Sequence, residues 1–314
     1  MPRRLLLALG GNAFLPQKGT GTIQEQRAIT MASMSPLARM LAPQDHVVIT
    51  HGNGPVVGNI LLRNQAAADR IPPMPLDICD ADSQGGIGYM IVQCLGNALA
   101  EAGVKRPVTA LVTRVRVDPN DPAFLHPQKP IGPFYTEEEA KRFAREQGWS
   151  VTEDSGRGWR RVVPSPAPKE ILELRGIQDL IQAGHVVVAA GGGGVPVTLD
   201  ATGQEHGVEA VIDKDRASAF LASALGFETF VIVTGVSHVA IGFGKPEQKN
   251  LERITVSDAR RYMSVGEFGE GSMKPKIESA LAFLEQGGRD VLITSPEDLG
   301  PALAGQSGTR VIPG

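Results

Sequence analysis

The chain has 314 residues, 42% of them apolar and 21% charged, and a formal net charge of -3. That length suits one large α/β domain or two smaller ones, and a near-neutral chain without basic runs is a poor partner for nucleic acid or an anionic membrane. The apolar run after Met1-Pro2-Arg3-Arg4 is too short for a secretory signal, no segment approaches the ~20 apolar residues of a membrane span, and Cys79 and Cys94 lack any metal-ligand spacing. A cytoplasmic protein without disulfides or zinc is expected.

In chain order, Arg4–Leu9 reads as a buried strand, Gln24–Leu41 as a helix and His46–Thr50 as a second strand. Helices are expected over Val57–Ala67 and Gly86–Ala102, then a strand over Val108–Val117. Farther on, helix Lys169–Ala183 feeds strand His185–Ala190, helix Arg216–Leu225 feeds strand Thr229–Val233, and helix Lys276–Glu285 feeds strand Val291–Thr294. Fully apolar strands alternating with amphipathic helices predict a mainly parallel sheet covered on both faces. Ligands of such sheets bind beyond the carboxyl ends of the strands. The proline-rich stretch Asp118–Pro168, with a helix at Thr136–Gln147, breaks the rhythm and reads as an inserted subdomain or lid.

Glycine loops follow three of the strands: Gly10-Gly11-Asn12, His51-Gly52-Asn53-Gly54-Pro55, and Gly191 to Gly194. Each exposes backbone donors at the same sheet edge, and the helices that follow add positive dipole ends, a setting suited to anionic oxygens. The spacing Gly52-x-Gly54-x-x-x-Gly58 approaches a dinucleotide fingerprint but carries Pro55 at the turn into the helix. Gly244-Lys245 lacks the earlier glycine of a phosphate-binding P-loop. Three lysines stand apart from ordinary surface charges: Lys214 between Asp213 and Asp215 at a helix start, Lys276 after Pro275 at another, and Lys129 in the stiff Pro127-Gln128-Lys129-Pro130. Phosphoryl transfer needs charge neutralisation and in-line positioning, which lysines around a phosphate supply. Asp215 suits either the alignment of two ammonium groups or the capping of its helix.

Several stretches together are similar to carbamate kinases of the amino acid kinase superfamily: Leu9-Gly10-Gly11-Asn12, His51-Gly52-Asn53-Gly54-Pro55, Ser83-Gln84-Gly85-Gly86, Lys129-Pro130-Ile131-Gly132-Pro133-Phe134-Tyr135, Arg161-Val162-Val163-Pro164-Ser165-Pro166, the tetraglycine, Val211-Ile212-Asp213-Lys214-Asp215, and Gly271-Ser272-Met273 with Pro275-Lys276. The likeness runs from about residue 5 to 295. It implies one amino acid kinase domain over 1–314, a three-layer αβα sandwich with a mainly parallel open sheet, a small protruding subdomain at 118–166, and a homodimer. The N-terminal half would bind the acceptor and residues from about 185 to 314 the nucleotide.

The same resemblance implies reversible phosphoryl transfer between ATP and carbamate, in the direction of ATP synthesis during arginine and carbamoyl phosphate breakdown. By position, Lys214 and Lys276 would contact the transferring phosphoryl, Asp215 would align them, and Lys129 would close over the site. Gly10, Gly11 and Asn12 would hold phosphate oxygens, Gly52 and Asn53 the carbamate, and Gly191, Gly192, Gly193, Thr234, Val239 and Met273 the nucleotide. Mg2+ would ride on the ATP phosphates without a carboxylate cage. Carbamate is an anion at neutral pH, so its attacking oxygen needs no general base. Two positions depart from the family pattern: Val56 replaces a glutamine, and Thr234-Gly235-Val236-Ser237-His238 a more acidic or alanine-containing stretch. A kinase of another small carboxylate or phosphonate, or a nucleotide-binding sensor without turnover, remain the rival readings.

Overall fold

A computed structural model describes residues 2–14, 21–154, 156–269 and 271–314. From the N-terminus the elements are β1 (Arg4–Leu9), α1 (Ile23–Met40), β2 (His46–His51), α2 (Gly54–Ala66), α3 (Leu76–Glu101), β3 (Val108–Ala110) and β4 (Arg114–Val117). The protruding stretch holds β5 (Lys129–Tyr135), α4 (Glu137–Gln147), β6 (Ser150–Glu153) and β7 (Trp159–Val163). The chain returns through β8 (Pro168–Ile171), α5 (Leu174–Gln182), β9 (Val186–Val188), β10 (Val195–Leu199), β11 (Glu205–Gly207), α6 (Lys214–Ala224) and β12 (Thr229–Val233). It ends with β13 (Val239–Ile241), β14 (Lys249–Leu251), β15 (Arg253–Thr255), α7 (Val256–Ser264), α8 (Met273–Glu285), β16 (Asp290–Thr294), α9 (Leu299–Leu303) and β17 (Thr309–Ile312).

The main sheet runs β15-β17-β16-β12-β1-β2-β9-β3 and is parallel at every pairing except β16 with β17. Strand periodicity divides the core. Leu5, Leu7 and Leu9 of β1 join Met34, Leu37, Ile91 and Leu95 of α1 and α3 on one face, while Leu6 and Ala8 join Ile177, Leu221 and Phe283 of α5, α6 and α8 on the other. Side chains two apart share a face, so one apolar strand serves two helical layers. The predicted three-layer αβα arrangement is the observed one. Parallel pairing aligns Leu9, His51 and Val233, so the loops after β1, β2 and β12 start side by side.

Three sequence expectations change. Val108–Val117 is two strands in two sheets, because the Gln84 side chain of α3 takes the Thr113 backbone between them: Thr113 N–H donates to Gln84 Oε1 at 2.8 Å, and Gln84 Nε2 donates to the Thr113 carbonyl at 3.1 Å. The helix expected from Lys169 starts at Leu174, since Pro168–Ile171 pairs antiparallel with β4 instead. The helix expected from Gly86 extends back to Leu76. Within 118–166, β5, β7 and β6 form a separate antiparallel sheet, and Thr136 caps α4 in a reciprocal box with Glu139.

Candidate active site

The first turn of α6 concentrates the charge. Asp213 caps the helix, its Oδ1 accepting from the N–H groups of Asp215 at 3.0 Å and Arg216 at 3.2 Å. Its Oδ2 receives Lys129 Nζ from β5 at 2.6 Å. With the cap filled by Asp213, Asp215 is freed from that role. Asp215 is 2% exposed and carries one ammonium on each oxygen: Lys214 Nζ at 2.5 Å from Oδ1 and Lys276 Nζ at 3.2 Å from Oδ2. Lys276 also donates to the Ser272 carbonyl at 3.3 Å. Ser218 bonds the Lys214 carbonyl and Thr50 of β2, each at 2.6 Å, and so seats this turn against the sheet.

Burial lowers the pKa of Lys214 and the Lys276 charge lowers it further, while Asp215 and Asp213 act to raise it. Burial pushes Asp213 up, and the Lys129 ammonium more than reverses that push, leaving the carboxyl far below the usual range. The outcome is a partly desolvated cluster of three lysines and two carboxylates in which each ammonium faces a carboxylate.

The glycine loops meet this cluster from the sheet edge. Gly10 and Gly52 spend their N–H groups on sheet closure, donating to Val233 at 2.9 Å and Leu9 at 2.8 Å. They therefore shape the site and do not offer those donors to an oxyanion. A Cβ on Gly52 would stand 3.5 Å from Gly11 N and 3.5 Å from Lys214 Cδ, so glycine there keeps the Gly11 N–H and the lysine stem reachable. Asn12 lies in the short turn Gly11–Ala13; its side chain is outside the described structure.

The tetraglycine is a buried turn at the same edge, against His51 and Asn53 of the loop after β2. Ala190, with φ 48, and Gly192 to Gly194 are left-handed, and Thr113 Oγ1 receives the Ala190 N–H at 2.9 Å. A Cβ would fall 2.3 Å from His51 Nε2 at Gly191, 2.2 Å from Asn53 Nδ2 at Gly192 and 2.3 Å from the Ile212 carbonyl at Gly193. These glycines make room for protein side chains and backbone, whereas the family resemblance assigns them to the nucleotide. The apolar cleft at the other end contains none of them.

That cleft, about 350 Å³, is lined by Thr234, Val236, Ala240, Phe243, Phe268 and Met273, among others. It shares Gly269 and Ser272 with a cleft of about 1100 Å³ that lies between Lys129, Arg157 and Arg160 of the protrusion and Asp213 and Arg216 of the main body. Thr234 and Met273 line this cleft and Val239 does not: it is wholly buried in the core, and its strand neighbours His238 and Ala240 face the cleft. Strand alternation accounts for the exchange. Val56 packs against the α1/α3 core layer, so its departure from the family pattern removes a polar side chain from a packing position.

Sequence reasoning missed two groups. Arg157, Arg160 and Arg216 add positive charge to the larger cleft; their signal was only that of scattered surface arginines. On α3, Asp80 and Ser83 receive the two amide protons of Asn53, at 3.1 Å and 2.9 Å. The overlooked signal was Asp80, Ser83 and Gln84 at helical spacing on a face otherwise occupied by Leu76, Ile87 and Ile91, a core stripe interrupted by polar groups. Among the described residues no group of three or more His, Cys, Asp or Glu could hold a metal.

A profile of the amino acid kinase family matches residues 3–295. The chain belongs to that family. Within it, the chain is 48% identical to the carbamate kinase of Thermococcus kodakarensis, over 99% of both chains. It is 47% identical to the carbamate kinase-like protein YahI of Escherichia coli, again over 99% of both. Among solved structures, carbamate kinase from Giardia lamblia bound to AMP-PNP superposes with a TM-score of 0.92 at 41% identity, covering 100% of this chain and 99% of that one. Amino acid kinase relatives this similar along their whole length place the chain in the carbamate kinase branch.

Proposed function

We propose that this chain is a carbamate kinase, transferring the terminal phosphoryl group reversibly between ATP and carbamate. The observation that carries the reading is the Asp215 carboxylate bridging Lys214 and Lys276, at the junction of the glycine loops with the two connected clefts. An adenosine group suits the apolar 350 Å³ cleft beside Met273 and Phe243. Its phosphates would extend past Ser272 toward the lysines, and the acceptor would lie at Gly11, Gly52 and Asn53.

In the forward direction a carbamate oxygen attacks the terminal phosphorus, the bond to the bridging oxygen breaks, and that electron pair stays on ADP. No proton has to move. What opposes reaction is repulsion between two anions, which Lys214, Lys276 and Lys129 reduce by sharing the phosphoryl charge from partly buried positions. Asp215 sets the spacing of two ammonium groups that would otherwise repel each other. Mg2+ entering on the nucleotide phosphates would supply further charge neutralisation. Operation toward ATP synthesis, and assembly as a homodimer, are part of the same proposal.

The test is ATP formation from ADP, Mg2+ and carbamoyl phosphate by the purified protein. Turnover is expected to fall by about 10² to 10³ in Lys214→Ala, the scale for losing one preorganised charge partner. Wild-type output no greater than that of the variant would sink the reading.

A further inference from the structure

An acceptor site for carbamate has to tell it from a carboxylate of the same shape. Carbamate and acetate share the two oxygens and differ in an amino group against a methyl. Only an acceptor atom aimed at the third substituent separates them. Asn53 is built to offer one. Both of its amide protons are committed inside the protein, to Asp80 Oδ1 at 3.1 Å and to Ser83 Oγ at 2.9 Å. Ser83 cannot compete as a donor, because its own proton goes to the Asp80 carbonyl at 2.7 Å. Asp80 Oδ1 remains an acceptor whether or not the carboxyl is protonated, which matters because burial drives that group well above its usual range.

Asn53 is 4% exposed and its amide lies against Gly192, where any side chain would collide with it. The amide is thus fixed from two sides in one orientation. Its oxygen has no hydrogen-bond partner among the described residues, yet is not one of the buried side-chain atoms sealed off without one.

We infer that Asp80 and Ser83 are positioning residues that lock the Asn53 amide so that its oxygen accepts a hydrogen bond from the amino group of the acceptor, selecting carbamate over an isosteric carboxylate. The inference rests on the carbamate reading. It assigns a role to two α3 side chains that touch no substrate. A site that hydrogen-bonds a substrate N–H rejects the analogue lacking it, since the oxygen is then left unpaired.

The experiment compares carbamoyl phosphate with acetyl phosphate as phosphoryl donors to ADP. In Asp80→Ala the kcat/KM preference for carbamoyl phosphate is expected to fall about ten-fold, the scale of one lost hydrogen bond, mainly through KM. The KM for ADP should stay unchanged. Ser83→Ala should lose about three-fold, and Asp80→Asn, whose amide oxygen still accepts, should retain the preference. A purely structural role would alter both donors alike, and that outcome overturns the inference. If Asp80→Ala fails to fold, an unchanged preference in Ser83→Ala overturns it equally. Should the wild type form no ATP, the carbamate reading fails on its own. The amide assignment is then read from thermal shifts: carbamoyl phosphate should protect the wild type more than acetyl phosphate does, and equal protection by the two overturns it.

Discussion

Asp215 shows how one side chain sets the properties of a site. With 2% exposure and an ammonium on each oxygen, it both neutralises and spaces the lysines. Asp215→Ala should lower kcat by about 10² or more by leaving two like charges free to separate, measurable as initial rates at saturating ADP. His51 gives a second handle at this scale. Burial drives its pKa down to about 4, with Lys214 acting in the same direction against the hydrogen bond to the Gly52 carbonyl. The unfolded chain therefore binds a proton between the ordinary value of 6.5 and about 4 that the folded chain refuses. The contribution of neutral His51 is complete above that window and disappears as pH falls through it, up to ~3 kcal/mol in all. Asp80 runs the opposite way, its raised carboxyl favouring the fold at low pH, so the effect has to be read as a difference. His51→Gln should flatten the loss of stability between pH 6.5 and about 4 relative to wild type in denaturant titrations, and parallel curves would refute the assignment.

At the scale of elements, the sequence was most legible where a strand is apolar from end to end. Val186–Val188, the Phe230–Val233 run of β12 and the Leu5–Leu9 run of β1 could be read directly, as could the charge at the start of α6. It was least legible where tertiary partners overrule local pattern. Pro130 and Pro133 disguise β5, which tolerates them as an edge strand. Lys169 and Glu170 have a helical look but lie in β8, where Glu170 pairs with Arg116 of β4, and Thr113 breaks a strand only because Gln84 arrives from α3. The tetraglycine carried a true signal of close approach, but what approaches is His51 and Asn53. Gly192→Ala combines left-handed backbone with a 2.2 Å collision and should cost about 2 to 5 kcal/mol. The same substitution should weaken the carbamoyl phosphate reaction more than ADP binding, as ADP titration alongside kinetics will show.

For the whole molecule, the question is how firmly the protrusion is joined to the body. Ile131 and Val163 from its sheet pack with Val57, Leu76, Cys79 and Val211 of the body in one buried cluster. Arg161 pairs with Glu209, whose other oxygen receives the Leu76 N–H, and a Cβ on Gly58 of α2 would touch Gly132 of β5 at 3.4 Å. The base of the protrusion is thus part of the core, so scanning calorimetry should show a single cooperative transition; two separated transitions would contradict this. Lys129 reaches out from that firm base. Its pair with Asp213 is partly exposed, at 32% and 19% for the two side chains, and such pairs contribute at most about 1 kcal/mol. Lys129→Ala should therefore leave the unfolding temperature nearly unchanged while raising KM for carbamoyl phosphate and lowering kcat.

The lysines held together by Asp215 and Asp213 have one further effect, on the protein at rest. Three ammonium groups, the N-termini of α6 and α8 and the nearby Arg216 outweigh the two carboxylates paired with them, so the centre carries a surplus of positive charge. Any small dianion that settles there offsets the surplus, so storage buffer becomes a variable. Phosphate or sulfate at millimolar levels should raise the melting temperature saturably, by RT ln(1 + [L]/Kd) in free energy, and compete with carbamoyl phosphate. Chloride at matched ionic strength should do neither, and Lys214→Ala should abolish the difference between the salts.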